Sequence, residues 1–101
     1  MKEWDDNMNM VRDRLTILYF SALWCGPCGA MTPNIKKLDK EMDNRVDIYK
    51  VDVDTCPQMA DAYHIMSIPT VIWIMDDEVI DIAIGAIPYD TLEQKTLALM
   101  K

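Results

Sequence analysis

The stretch from residue 15 to residue 28 reads LTILYFSALWCGPC, and the organisation of the whole chain hangs on it. Residues 15–22 form a near-continuous apolar run of strand-favouring types, the pattern of a central strand covered on both faces. From Cys25 onward the sequence reads as a helix, with Met31, Ile35, Leu38 and Met42 at spacings of three or four. Pro33 sits inside that pattern, where it should kink the helix. Strand and helix meet at Trp24-Cys25-Gly26-Pro27-Cys28. Such a junction suits a reactive thiol: the first helical turn presents unpaired N–H groups and a partial positive charge, which stabilise a thiolate. Thiolate, not thiol, attacks disulfides, so lowering the pKa activates the residue. An i, i+3 spacing on one turn puts both cysteines on one face, with Cα atoms within about 5.5 Å, a separation that a disulfide can bridge. Cys25, at the tip, is expected to be the exposed nucleophile. Cys28, one turn in, is expected to be the shielded thiol that resolves a mixed disulfide. Pro27 fits the first turn because no intrahelical donor is lost there.

Working outward, the first dozen residues read as a short polar helix containing Trp4, Met8 and Val11. Residues 46–53 make a second strand, and residues 57–63 a short helix with Pro57 in its first turn. Residues 70–75 and 79–84 are apolar runs separated by Asp76, Asp77 and Glu78, which predicts an antiparallel hairpin around a solvated turn. Gly85 and Pro88 break the second of these strands. Residues 89–100 then close the chain as an amphipathic helix, with Leu92, Thr96 and Leu99 on one side. A parallel strand–helix–strand unit followed by a hairpin and a helix predicts an α/β fold, one mixed sheet with helices on both faces.

Composition bounds the rest. The chain has 101 residues, half of them apolar, and 10 Lys+Arg against 17 Asp+Glu leave a net charge of −7. One domain over residues 1–101 is expected, able to bury roughly two-thirds of its unfolded surface without a disulfide scaffold. Nine methionines against one phenylalanine predict an aliphatic, adaptable core. The acidic balance argues against nucleic acid and against anionic membrane surfaces as partners. Residues 15–35 carry no charge, a span long enough to cross a membrane on count alone. Gly26, Pro27, Pro33 and Asn34 interrupt it, and a buried strand running into a helix accounts for it better. The amino terminus has no basic segment followed by an apolar one, so a cytoplasmic protein is expected, or a periplasmic or secreted one if a signal sequence was removed. In the cytoplasm, cysteines at this spacing indicate redox or metal chemistry rather than a structural staple.

WCGPC at the end of an apolar strand, Pro33 five residues after Cys28, and Ile68-Pro69-Thr70 before the hairpin stand in the order and spacing of thioredoxins. From residue 15 onward the sequence resembles the thioredoxin family. The resemblance implies a three-layer α/β/α sandwich and a redox-active Cys25–Cys28 disulfide, with no other cofactor. It implies that Cys25 attacks a disulfide in a client protein and that Cys28 releases the dithiol product. A thioredoxin reductase or another electron donor would then recycle the pair, in a monomer. Gly26-Pro27 is the dipeptide of reducing members of the family. By the same resemblance Pro69 is cis and packs beside the disulfide, at a cost of about 0.5–1 kcal/mol relative to trans. Trp24, Ile68, Pro69, Gly85 and Ala86 would be substrate-contact positions.

The sequence departs from the family at three places. Tyr19 stands where a buried Asp is usual, six residues before Cys25, while the Lys that normally neighbours it persists as Lys50. A buried Lys without a carboxylate is costly, so the Tyr19 hydroxyl, water or solvent must satisfy it. Loss of the carboxylate is expected to weaken proton management at Cys28 and slow turnover. Gly29 replaces a common basic residue, which leaves helix geometry to carry the activation of Cys25. The residues before Leu15 are too few for both a first strand and a first helix. A four-stranded sheet lacking the first strand is therefore expected, with residues 46–53 as an edge guarded by Asp47 and Asp52.

Competing readings are weaker. A metal site needs two more ligands, and only Cys56 and His64 are on offer, on another segment; no metal is expected. Cys56 reads as a small residue near a helix start, with a regulatory thiol as the sharper alternative. His64 reads as a surface or capping histidine, and Trp73 as core. A disulfide oxidase or isomerase is the nearest alternative activity, and a non-enzymatic binding module the alternative in kind.

Overall fold

The computed structural model describes residues 1–10 and 13–100. Its centre is β2 (Thr16–Ser21), buried at all six positions. β2 runs parallel to β3 (Asp47–Asp52), with Tyr19 beside Lys50 and Ser21 beside Asp52, and antiparallel to β4 (Thr70–Met75), with Phe20 beside Thr70. β5 (Glu78–Ile84) pairs antiparallel with β4. The reversal between them is made by Asp76 and Asp77, at φ 51° and 67°. Two consecutive left-handed residues form the turn whose twist matches the flanking strands, and Asp tolerates that conformation better than most residues. Glu78 belongs to the strand, opposite Met75, rather than to the turn.

Side chains alternate between two cores. Ile17, Tyr19, Val71 and Trp73 face α1 (Cys28–Met42) and α3 (Tyr89–Leu99), where Met31, Ile35, Leu38, Met42 and Leu92 meet them. Leu18, Phe20, Tyr49, Val51 and Ile72 face α2 (Pro57–Ala62) and the N-terminal segment, where Met59, Cys56 and Trp4 meet them. The architecture is the three-layer α/β/α sandwich. α1 runs through Pro33, which lies at its sixth position.

Three expectations are corrected. The sheet has five strands in the order β1-β3-β2-β4-β5, because Lys2–Glu3 forms β1, parallel to β3. β3 is thus not an edge, and Asp47 and Asp52 do not guard one; both are half-buried inside the structure. The first residues form no helix. The Trp4 N–H donates to the Lys50 carbonyl at 2.8 Å, extending the strand pairing, and Asp5 then starts a turn through bonds from the Asn7 and Met8 amides. Asp and Asn favour such turns through their own side-chain acceptors, and a two-residue strand is too short to show alternation. Val11 lies outside the described residues. Finally, α1 begins at Cys28, with Pro27 as its N-cap. The Gly29 N–H bonds the Gly26 carbonyl at 3.0 Å, so Gly26 and Pro27 form a tight turn ahead of the helix and Cys25 precedes the helix itself.

Candidate active site

Four chain segments meet at one end of the sheet: the ends of β2, β3 and β5 and the start of β4. β2 runs on through Ala22 to the Cys25 turn, where the Cys25 N–H donates to the Ala22 carbonyl at 3.2 Å. Cys25 and Cys28 are joined by a disulfide with their Cα atoms 5.4 Å apart. Cys25 is half-buried, whereas Cys28, the first residue of α1, is 4% exposed. The backbone N–H of Cys28 points at the Cys25 sulfur, 3.2 Å away. That donor is one of the unpaired amides of the helix start, and it stabilises negative charge on Cys25 when the pair is reduced. The two sulfurs are therefore distinguished by exposure and by this single amide.

Tyr19 reaches from β2 to the underside of this turn. Its hydroxyl lies 3.1 Å from the Cys28 carbonyl oxygen and 2.7 Å from Thr32 Oγ1, which is itself 2.9 Å from the same carbonyl. Three contacts share two hydroxyl protons, so the two hydroxyls together hold one backbone oxygen. Burial raises the Tyr19 pKa above the ordinary phenol value, with the Thr32 hydrogen bond opposing part of that rise. Tyr19 is therefore neutral at physiological pH, and it anchors Cys28 through its backbone. It does not bond Lys50. Lys50 is half-buried and, with Ser21, Cys25, Cys28, Thr32 and Asp52, lines a cavity of about 190 Å³ beneath the disulfide, so the cavity gives its ammonium polar surroundings.

The other residues singled out from sequence gather around the same end. The Ile68–Pro69 bond is cis, and the Pro69 carbonyl accepts a 2.8 Å bond from the Gly85 N–H, so these two segments abut. Gly85, at φ +90°, has a backbone conformation that side chains rarely adopt, with open space where a Cβ would be. Ala86 is exposed and Ile68 half-buried. Trp24 is 70% exposed and is oriented by a bond from its Nε1 to Asp54 Oδ2 at 2.8 Å. Trp24 and Ile68 line one apolar pocket with Val53 and Met66, on the α2 side of the cysteines. Gly26, Pro27 and Gly29 are exposed.

Sequence reasoning missed Thr32 and Asp54 as site residues. The signal for Thr32 was its place one turn after Cys28, where a hydroxyl reaches back to the carbonyl of residue i−4. The signal for Asp54 was a second carboxylate just beyond the strand, in Val51-Asp52-Val53-Asp54.

A half-buried sulfur just ahead of a helix, joined to a buried partner on its first turn, with a cis-proline segment at the same end of the sheet, defines a thiol–disulfide oxidoreductase site. A family model described as Thioredoxin matches residues 1–98, and the chain belongs to the thioredoxin family. It is 41% identical over 91 residues to the chloroplastic M-type thioredoxin of Triticum aestivum, covering 90% of this chain and 51% of that protein. It is 40% identical over 75 residues to the thioredoxin of Bacillus subtilis (strain 168), covering 74% of this chain and 72% of the relative. The thioredoxin of Borreliella burgdorferi is 36% identical over 92 residues, 91% of this chain and 75% of its own. The chain thus spans about half of the wheat protein. Among the described residues, no helix is long and apolar enough to cross a membrane.

Proposed function

We propose that the protein reduces disulfide bonds in client proteins, and that a thioredoxin reductase or another dithiol donor recycles it. The observation that carries this reading is the inequality of the two sulfurs: Cys25 is half-exposed and receives the Cys28 amide, while Cys28 is buried behind it. In the reduced protein the Cys25 thiolate attacks one sulfur of a client disulfide, and the other client sulfur leaves as a thiolate. The Cys28 sulfur then attacks Cys25, the Cys25–client bond breaks, and the client leaves with two electrons from the pair. Nothing beyond the two sulfurs carries electrons, and a donor dithiol returns the pair to its reduced form. The exposed Trp24 and half-buried Ile68, with the buried cis Pro69 and the abutting Gly85-Ala86 segment, support recognition by shape and apolar contact, with the client backbone laid beside the cis-proline segment. Gly26-Pro27 supports reduction over oxidation or isomerisation, and a cytoplasmic setting would supply the reductant.

The test is reduction of a disulfide-bonded protein by dithiothreitol, followed by turbidity. The unsubstituted chain is expected to accelerate it, Cys25→Ser to abolish the acceleration, and Cys28→Ser to stop at a stable mixed disulfide. No acceleration, or equal acceleration by Cys25→Ser, would favour a binding module. Equilibration against glutathione buffers separates a reductase, with a potential near the thioredoxin value of about −270 mV, from an oxidase nearer −120 mV.

A further inference from the structure

We propose that Asp52 accepts the proton of the Cys28 thiol, through water in the cavity beneath the cysteine pair, as Cys28 resolves the mixed disulfide. The proposal rests on the exchange chemistry above and assigns one of its proton transfers.

Resolution requires Cys28 to attack as a thiolate. Cys28 is 4% exposed, so its proton leaves by way of the groups and waters packed around it. Its own surroundings must take it. Tyr19 touches the Cys28 backbone, but burial raises its pKa and its hydroxyl is engaged with the Cys28 carbonyl and Thr32. The cavity offers another route. It measures about 190 Å³ and is lined by both cysteines together with Ser21, Thr32, Lys50 and Asp52. At roughly 30 Å³ of liquid volume per molecule it has room for several waters, and these polar groups are the partners such waters need.

Asp52 is the carboxylate of that lining. It ends β3 opposite Ser21, on the face of the sheet that carries Tyr19 and Lys50. Its Oδ1 accepts the Asp54 amide at 2.8 Å and the Thr55 amide at 3.4 Å, which pins the carboxylate to the turn. Oδ2 makes no hydrogen bond among the described residues. The charged and titratable groups around it come from every packed element. Lys50 lies on its own strand, Glu3 stands beside Lys50 on β1, and Tyr19 is on β2. Cys25 and Cys28 come from the α1 side, and Asp54, tied to the Trp24 indole, follows the strand. Oδ2 is thus the oxygen left to take a proton. In the step, the Cys28 S–H proton passes through water to Asp52 while the sulfur's electron pair bonds to the Cys25 sulfur. The Cys25–client bond breaks, and the departing client thiolate takes a proton from solvent. Asp52 then returns its proton to solvent.

Because Asp52 touches neither sulfur, its test needs a readout that a structural role would leave alone. Reduced protein is mixed with a disulfide-bonded protein, quenched with acid and alkylated, and the lifetime of the mixed disulfide is measured from pH 5 to pH 9. Asp52→Asn keeps an oxygen for the Asp54 and Thr55 amides but removes the base. It is expected to lengthen that lifetime three- to tenfold at neutral pH, with the deficit closing as pH passes about 8.5, where a free thiol ionises unaided. Asp52→Glu is expected to restore much of the rate. A solvent deuterium isotope effect on the resolving step, read on the unsubstituted chain, should accompany these results. Asp52→Asn with an unchanged lifetime, a deficit constant across pH, or no isotope effect would overturn the proposal while leaving the exchange chemistry intact. An unsubstituted chain that forms no mixed disulfide overturns the exchange reading and this proposal together.

Discussion

The two faces of the sheet bury similar apolar side chains but treat their polar atoms differently. On the face covered by α1 and α3, the large polar side chains end on partners, and only the small Ser21 Oγ is buried without one among the described residues. Tyr19 shares the Cys28 carbonyl with Thr32, and Trp73 Nε1 donates to Thr96 Oγ1 at 3.0 Å, whose hydroxyl donates in turn to the Leu92 carbonyl at 2.8 Å. On the opposite face, Trp4 Nε1 is buried without a partner among the described residues, and Ile82 and Ile84 of β5 remain 49% and 70% exposed. The cause is length: helices of 15 and 11 residues cover one face, and a helix of 6 residues with an N-terminal turn covers the other. Satisfied buried networks rigidify, while sparse cover leaves local motion cheap. The cysteine pair straddles this difference. Cys28 is bolted to the well-covered face, and Trp24 with Ile68 lines an apolar pocket over the other, so the cysteine pair is held firmly beside a wall that can adapt.

The same substitution made on each face is the strongest way to break that contrast. Trp73→Phe removes volume from a fully buried site and leaves Thr96 Oγ1 without its donor; a loss of about 2–3 kcal/mol is expected. Trp4→Phe also removes volume, but the N–H it deletes is unpartnered, and relief of that desolvated donor offsets part of the lost packing. About 1 kcal/mol or less is expected there. Urea unfolding with an unchanged slope measures both. Equal losses would mean that the two faces are alike.

Tyr19→Phe sharpens the contrast within the well-covered face. It keeps the ring and deletes one of the two hydroxyls that hold the Cys28 carbonyl, so about 1 kcal/mol is expected from the urea midpoint. Faster amide exchange confined to the first turns of α1 should accompany it, because the helix start loses its tie to β2. A loss of protection spread over the whole sheet would instead make Tyr19 an ordinary core residue.

How much of this was legible in the sequence depended on the range of the interactions. β2, α1 and the hairpin were visible because their signals are local: an apolar run, a period of three to four, and two apolar stretches around acidic residues. The cysteine pair was visible for the same reason, whereas Ile68 and Pro69 were singled out only through the resemblance to the thioredoxin family. β1 was not, because Lys2 and Glu3 are strand only through β3, 47 positions away by the Lys2–Tyr49 register. The start of α1 was read three residues early, since cysteines at i and i+3 look alike whether the helix begins at the first or the second. The contacts of Tyr19 were illegible too. A tyrosine in an apolar strand gives no sign that its hydroxyl will meet Thr32 rather than Lys50; that depends on where α1 crosses β2.

A smaller effect compares the faces through a tyrosine on each. Tyr89, at the start of α3, is pushed up to about 12 by burial first and then by Glu93, whose carboxylate accepts its hydroxyl at 3.1 Å; Glu41 and Asp90 add to the repulsion of a phenolate. Tyr63, beyond α2, is raised by burial and by Asp77. An unfolded tyrosine ionises near pH 10, so on raising the pH the unfolded chain loses these protons first. The stability each neutral ring contributes is therefore complete below about pH 10 and is lost as pH climbs through the folded value, for Tyr89 between about pH 10 and 12. Tyr89→Phe should leave neutral-pH stability within about 0.5 kcal/mol and flatten the alkaline fall. Tyr63→Phe should flatten it less, since fewer carboxylates oppose its ionisation. The check is the urea midpoint of each variant from pH 8 to pH 12. Equal flattening would show that the charge packed around α3, unlike its hydrogen bonds, does nothing to set the two faces apart.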